Sequence, residues 1–301
     1  MTAQPTVKER TRPDWLKIKL TTSGKFLETR KLIRENNLHT VCEEARCPNI
    51  YECWGRQTAT IMILGDTCTR SCGFCSVKTG KPLATDILEP VRTGHTVKAM
   101  KLRHVVITSV DRDDLKNDYG ADIWAKTIQQ IRIQALNCTI EVLTPDFRDY
   151  RPAFEKVFQA APDIFSHNIE CVQRISKAVR PQSDWNRSFA ILRASIAWGL
   201  QTKTGMMVGL GENDSEVLET MQEIADLGIS IFNIGQYLQP TLNHLPVQRF
   251  VHPDIFKMYK EKGLGMGFAV VESGPLVRSS YHADEQVQRL ESINNQKQPI
   301  V

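Results

Sequence analysis

No apolar run in this 301-residue chain is long enough to cross a bilayer. Stretches such as Ile61-Met62-Ile63-Leu64 and Val105-Val106-Ile107 fall far short of the roughly 20 residues that a spanning helix needs. The start of the sequence shows no apolar signal core and no clear transit peptide, so a cytoplasmic location with reduced thiols is expected. Internal repeats and low-complexity tracts are absent. Apolar residues make up 41%, the share of an ordinary globular protein with a sizeable core. Strong charge of one sign is lacking too, and a net +4 gives no reason to expect nucleic acid. Lys8, Arg10, Arg12, Lys17 and Lys19 read as a solvated arm wrapping the domain, and residues 296–301 as a loose polar tail.

Cysteine, by contrast, is concentrated. Six of the eight cysteines fall within residues 42–75, in two trios. Cys68-x3-Cys72-x2-Cys75 lies in Thr67-Cys68-Thr69-Arg70-Ser71-Cys72-Gly73-Phe74-Cys75. Three thiolates this close in one loop can hold three irons of a [4Fe–4S] cluster and leave the fourth iron open to something that reacts. Structural zinc usually takes four ligands from paired knuckles, and neither a fourth cysteine nor a nearby Cys/His pair follows this trio. Cys42-x4-Cys47-x5-Cys53 lies just upstream and also leaves an iron in need of a fourth ligand. The scattered Cys138 and Cys171 read as small buried hydrophobes.

Short apolar strands alternate with amphipathic helices, the βαβ rhythm of a parallel sheet. Strands are predicted at 60–64, 104–108, 139–143, 163–167, 204–208, 231–234 and, last, 267–271. Helices are predicted at 25–37, 95–101, 121–136, 151–160, 171–179, 186–200, 214–227 and 253–263, with the first trio in an irregular stretch. Asn213-Asp214-Ser215-Glu216 should cap the helix near residue 214. The cysteine loop, Ser109-Val110-Asp111, Thr144-Pro145-Asp146, Asn168 with Glu170, Gly209-Leu210-Gly211-Glu212 and Gly235-Gln236-Tyr237 each follow a strand. Polar and glycine-rich residues thus collect at strand C-terminal ends, where α/β barrels place their chemistry. The expected fold is α/β, a partial (β/α)6 TIM-type barrel. Its core would span residues 55–272, flanked by an N-terminal extension (1–54) that carries the first trio and a C-terminal extension (273–301).

The second trio, with an aromatic residue, Phe74, before its last cysteine, resembles the signature of radical S-adenosylmethionine (SAM) enzymes. With the first trio and Arg278-Ser279-Ser280-Tyr281, the chain closely resembles the lipoyl synthases from about Pro13 to His282. Val41-Cys42-Glu43-Glu44, Thr108 to Leu115, Leu143 to Phe147 and His167-Asn168-Ile169-Glu170 add to the likeness.

The resemblance implies two [4Fe–4S] clusters and SAM as cosubstrate. One cluster, on Cys68, Cys72 and Cys75, would cleave SAM to a deoxyadenosyl radical. The other, on Cys42, Cys47 and Cys53, would take a serine as its last ligand, Ser280 being favoured over Ser279, and would be consumed as sulfur donor. Two sulfurs would enter at C6 and C8 of an octanoyl chain linked to a lysine of a carrier domain. Such carriers are the glycine-cleavage H protein and acyltransferase subunits of 2-oxoacid dehydrogenases, and electrons would come from a donor such as ferredoxin or flavodoxin.

Thr108-Ser109-Val110-Asp111 replaces the superfamily's frequent Gly-Gly-Glu, so oxygens of Thr108 and Ser109 are candidates for the SAM ammonium. Gly205 to Glu212 matches Gly-x-Ile-x-Gly-x-x-Glu, with Met207 expected against adenine. Asn168 and Glu170 are expected at the ribose or, alternatively, as helix caps, and His167 reads equally as a core histidine. Arg193 and Lys203 are candidates for the SAM carboxylate, because a buried anion needs a cation. Biotin synthase and methylthiotransferase relatives lack this combination of motifs, and a ferredoxin-like carrier or zinc scaffold needs neither a barrel nor an open iron.

Overall fold

The computed structural model describes residues 12–18, 22–56 and 58–297; Lys8, Arg10, Lys19 and the tail residues 298–301 lie outside them. Helix α1 (Gly24–Glu35) starts where the Ser23 hydroxyl accepts the Phe26 N–H at 3.2 Å, a standard N-cap. The stretch expected to be irregular then forms strand β1 (His39–Thr40) and two short helices, α2 (Val41–Glu44) and α3 (Ile50–Gly55). Phe26 anchors α1 on α3 through Tyr51 and Trp54, each ring centroid 5.3 Å away.

The barrel wall begins with β2 (Thr60–Ile63), followed by the small pair β3 (Thr67–Cys68) and β4 (Lys78–Thr79). Units then alternate: α4 (Glu89–Ala99), β5 (His104–Ser109), α5 (Ala121–Gln134), β6 (Thr139–Leu143), α6 (Arg151–Gln159) and β7 (Ile164–Ser166). They continue with α7 (Gln173–Val179), α8 (Trp185–Ala197), β8 (Thr202–Val208), α9 (Asp214–Asp226), β9 (Ile231–Gln236), α10 (Pro253–Met266), β10 (Val270–Gly274) and α11 (Ala283–Lys297).

The sheet order is β1-β2-β5-β6-β7-β8-β9-β10, parallel throughout except for the antiparallel β1 edge. That order follows the chain without reversing, as in a singly wound barrel rather than a doubly wound sheet. It does not close, because β1 and β10 remain its two ends.

The two-residue period of the strands sorts side chains between two environments. Ile61, Ile63, Val105, Ile107, Ile140 and Val142 are at most 1% exposed and pack under the helices. Each contributes about 1.5–3 kcal/mol by burial. Their alternates, including Thr60, Met62, Val106 and Thr108, line an internal cavity.

Several elements differ from expectation, and for some of them the local reason is plain. The helix predicted at 95–101 is α4, which begins earlier around Pro90 and ends before Lys101, whose φ is 54°. Gly267, with φ 109°, terminates α10, so the last strand begins three residues later than predicted, at Val270. Helix α11 occupies a segment that had no predicted element and takes in residues 296 and 297 of the expected tail. Its Val287 and Leu290 bury against Ile164, Ile231 and Val270, the first residues of three strands.

Residues 275–282 leave β10 and run past Asn233, whose side-chain amide donates to the carbonyls of Arg278 (3.2 Å) and Ser279 (2.9 Å). They then reach Thr60, whose hydroxyl donates to Ser280 Oγ at 2.6 Å. This segment bridges the open side of the sheet, from β9 to β2. Gly235 makes the crossing possible, since a side chain there would collide with the Val277 carbonyl.

Candidate active site

One cavity of about 580 Å³ collects all six clustered cysteines. Cys42 lies in α2 and Cys53 in α3, with Cys47 in the turn between them. This trio sits beside the start of β2: Thr40, which pairs with Ile61, leads directly into α2, and Cys42 and Thr60 line the same cavity. Cys68 ends β3, and Cys72 and Cys75 follow in the loop to β4. The trios therefore lie toward opposite ends of β2, a strand roughly 10 Å long.

Burial pushes the thiols of Cys42, Cys53 and Cys68 up to about 12 and raises those of Cys47, Cys72 and Cys75. Unliganded, these sulfurs stay protonated. A cationic metal centre is what makes thiolates of such groups, releasing their protons as it binds. The backbone N–H groups of Arg70 (3.4 Å) and Asp111 (3.3 Å) already donate to Cys68 Sγ. Among the described residues no three His, Cys, Asp or Glu side chains converge on a single ion; in a four-iron cluster each thiolate binds a different iron. Six soft donors around one cavity suit two such clusters.

The second loop is held from within by Arg70. Its guanidinium donates to both Asp113 oxygens (2.8 Å each) and to Asp146 Oδ1 (2.6 Å), and it lies 3.2 Å from Asp111. These carboxylates follow β5 and β6, so one side chain ties the cysteine loop to two strand ends. On its other side, Leu245 N donates to the Gly73 carbonyl (2.9 Å) and His244 Nε2 lies 2.9 Å from the Cys75 carbonyl.

Every sequence-predicted site residue lines the cavity except Arg193 and Lys203. Thr108 donates its hydroxyl proton to the Leu143 carbonyl and Ser109 to that of Val110, both at 2.9 Å, leaving oxygen lone pairs free to accept. Asn168 Oδ1 is buried without a partner, while its amide donates to Ser279 Oγ at 2.6 Å. Glu170 holds a left-handed φ of 70°, a strain typical of functional positions, and burial raises its carboxyl above the usual range. Neither residue caps α7, whose N-cap Val172 makes no side-chain bond. The two serines have different partners: Ser279 faces Asn168, and Ser280 faces Thr60 beside Cys42.

Two expectations for the carboxylate-binding cation are corrected. Arg193 is exposed on α8, its guanidinium 5.7 Å from the Phe189 ring, because its helical position faces solvent. Lys203 is 1% exposed but already neutralised by Glu141 at 2.9 Å. Among the arginines that line the cavity, Arg180 is the one beside Asn168 and Glu170, and sequence reasoning missed it. It is 4% exposed, forms no ion pair among the described residues, and donates only to the Asn168 carbonyl (3.2 Å) and Ser188 Oγ (3.0 Å). His167 is a core histidine, 2.9 Å from the Thr144 carbonyl and 3.0 Å from Ser188 Oγ, with burial pushing it down to about 4. Glu212 pins its own turn by accepting the Gly209 and Leu210 N–H groups at 2.6 and 2.9 Å.

Residues 62–224 match the radical SAM superfamily, and residues 3–47 match the N-terminal domain of lipoyl synthase. The chain is 53% identical over 279 residues to lipoyl synthase of Rubrobacter xylanophilus, covering 92% of this chain and 87% of that protein. The chain belongs to the lipoyl synthase family. Across the family, mitochondrial lipoyl synthase of Nematostella vectensis is 47% identical over 277 residues, covering 92% of this chain and 95% of that one. Streptococcus suis SuiB bound to S-adenosylmethionine shares the fold of this lipoyl synthase family chain at 11% identity and a TM-score of 0.58, over 83% of this chain and 61% of SuiB. Family membership brings a [4Fe–4S] cluster and SAM with it. No helix among the described residues is long and apolar enough to cross a membrane.

Proposed function

We propose that this chain converts a protein-bound octanoyl-lysine to lipoyl-lysine, inserting sulfur at C6 and C8. The observation that supports it most is the pair of cysteine trios at opposite ends of β2 in one cavity. Bound there, the two clusters and SAM would supply the oxidising radical and the sulfur, chemistry for which no side chain is basic enough by itself. Cys68, Cys72 and Cys75 would hold the SAM-binding cluster; Cys42, Cys47, Cys53 and Ser280 would hold the other.

Around SAM, Thr108 and Ser109 would accept from the ammonium, Asn168 Oδ1 and Glu170 would take the ribose hydroxyls, and Met207 would face adenine. Arg180 takes the carboxylate. The cavity walls between the trios, among them Met62 and Val106, are apolar and would receive the octanoyl arm while excluding water. The carrier domain stays outside. Its candidates are the glycine-cleavage H protein and 2-oxoacid dehydrogenase acyltransferase subunits, with ferredoxin or flavodoxin as electron donor.

The test is anaerobic incubation of the reconstituted protein with SAM, reductant and an octanoyl-lysine peptide. A mass gain of two sulfurs together with deoxyadenosine is expected; deoxyadenosine without any thiolated peptide would overturn the reading. Arg180→Ala should weaken SAM binding about 10- to 100-fold in equilibrium dialysis, because a charge-assisted bond inside a buried site is lost. Arg180→Lys should recover part of it.

A further inference from the structure

Asn49, Glu52 and Arg56 recur at helical spacing along α3 and its caps, so they share one face. All three bind residues 276–285, more than two hundred positions later in the chain. Asn49 Nδ2 donates to the Leu276 carbonyl at 2.7 Å. Arg56 donates to Glu285 at 2.8 Å and to Asp284 at 3.3 Å. Glu52 takes two partners: Tyr281 OH donates to both its oxygens at 3.2 Å, and His282 Nε2 lies 2.9 Å from Oε1.

Tyr281 and His282 stack with ring centroids 4.0 Å apart, so Glu52 grips them as one unit. His282 sits at a left-handed φ of 52°, a conformation that persists only where surrounding contacts impose it. Immediately before this gripped pair comes Ser280, whose hydroxyl meets Thr60 next to Cys42. Glu52 itself precedes Cys53. A single carboxylate therefore joins the helix that carries one thiol of the trio to the turn that carries the serine.

We propose that Glu52 is a positioning residue that holds the 279–282 turn so that the Ser280 hydroxyl stays beside the Cys42 trio; the proposal rests on Ser280 being the fourth ligand there. Arg56 and Asn49 fix the flanks of the segment, Asn168 and Asn233 hold Ser279, and Gln286 holds the Tyr281 carbonyl, whereas Glu52 ties the Tyr281 and His282 rings to the helix that carries Cys53. Without it, the Tyr281 and His282 rings lose their tie to that helix, and keeping the serine turn beside Cys42 costs more conformational entropy.

The test uses the full chain loaded anaerobically with ⁵⁷Fe and sulfide, comparing wild type with Glu52→Ala, Glu52→Gln and Ser280→Ala. Hydrogen exchange should rise about tenfold in peptides covering 276–286 of Glu52→Ala, with β5 peptides unchanged, as expected for losing a charge-assisted anchor. The Mössbauer signal of the oxygen-ligated iron should shift in Glu52→Ala toward that of Ser280→Ala. Glu52→Gln, which can still accept from Tyr281, should stay near wild type in both readouts. Wild-type exchange in Glu52→Ala would overturn the proposal, and so would raised exchange with a wild-type iron spectrum. An unchanged spectrum in Ser280→Ala would sink the serine-ligand reading itself, and the positioning role with it, whatever Glu52→Ala shows.

Discussion

Replacing Cys42, Cys47 and Cys53 together by alanine is expected to abolish sulfur insertion while leaving SAM cleavage intact. The two trios sit on separate elements, α2–α3 for one and the β3–β4 loop for the other, with β2 between them. The Arg70 network that holds the second loop draws its partners from β5 and β6 ends, not from α2 or α3. Loss of the first trio therefore has no direct route to the second. Iron should fall from roughly eight to roughly four per chain, the difference of one four-iron cluster. Deoxyadenosine should still form from SAM and reductant, and the octanoyl-lysine peptide should gain no sulfur by mass spectrometry. A doubly thiolated product from this variant would refute the division of labour between the trios.

Arg70→Met should cost about 3–5 kcal/mol of stability, because it removes the cation from a buried charge cluster and leaves the anions behind. The guanidinium side chain is 2% exposed, and Asp113 and Asp146 are 12% and 2% exposed. The melting temperature should drop on the order of 10 °C. The variant also changes the pH response. Burial alone would raise the Asp146 carboxyl, but Arg70 outweighs it and holds that group at about 2. A folded-state value below the unfolded one means stability that is present above about pH 4 and lost as the pH falls toward 2. Chemical denaturation of wild type between pH 7 and 3 should show this decline beginning near pH 4, and Arg70→Met should show less of it. A variant as stable as wild type at pH 7 would show that water, not Arg70, neutralises the cluster.

Much of the barrel was legible because β-rich apolar runs alternate with amphipathic helices, and each predicted strand fell within a few residues of an observed one. The Asn213 cap is a case where local chemistry suffices: its side chain accepts the Glu216 N–H while Glu216 accepts the Asn213 N–H, a reciprocal capping box. Helices α2 and α3 escaped because four and six residues are too few to display a period. Helix α11 escaped because its face toward the barrel carries few apolar residues. In the site, spacing alone marked the cysteines. Arg180 carried no such mark: what distinguishes it from the surface Arg193 is burial without an ion pair, which appears only once the chain is folded. Lys203 was misread for the same reason, since its partner Glu141 lies on a different strand.

The segment that bridges β9 to β2 also governs when the site can exist during synthesis. Thr60 and Ser280 are 220 positions apart, and Asn49 and Leu276 are 227 apart. Both trios lie within residues 42–75, so all six thiols are synthesised long before the segment that carries Ser280. The Ser280 hydroxyl can therefore meet Thr60 beside Cys42 only after more than two hundred further residues have been added, so the first trio is complete later than the second.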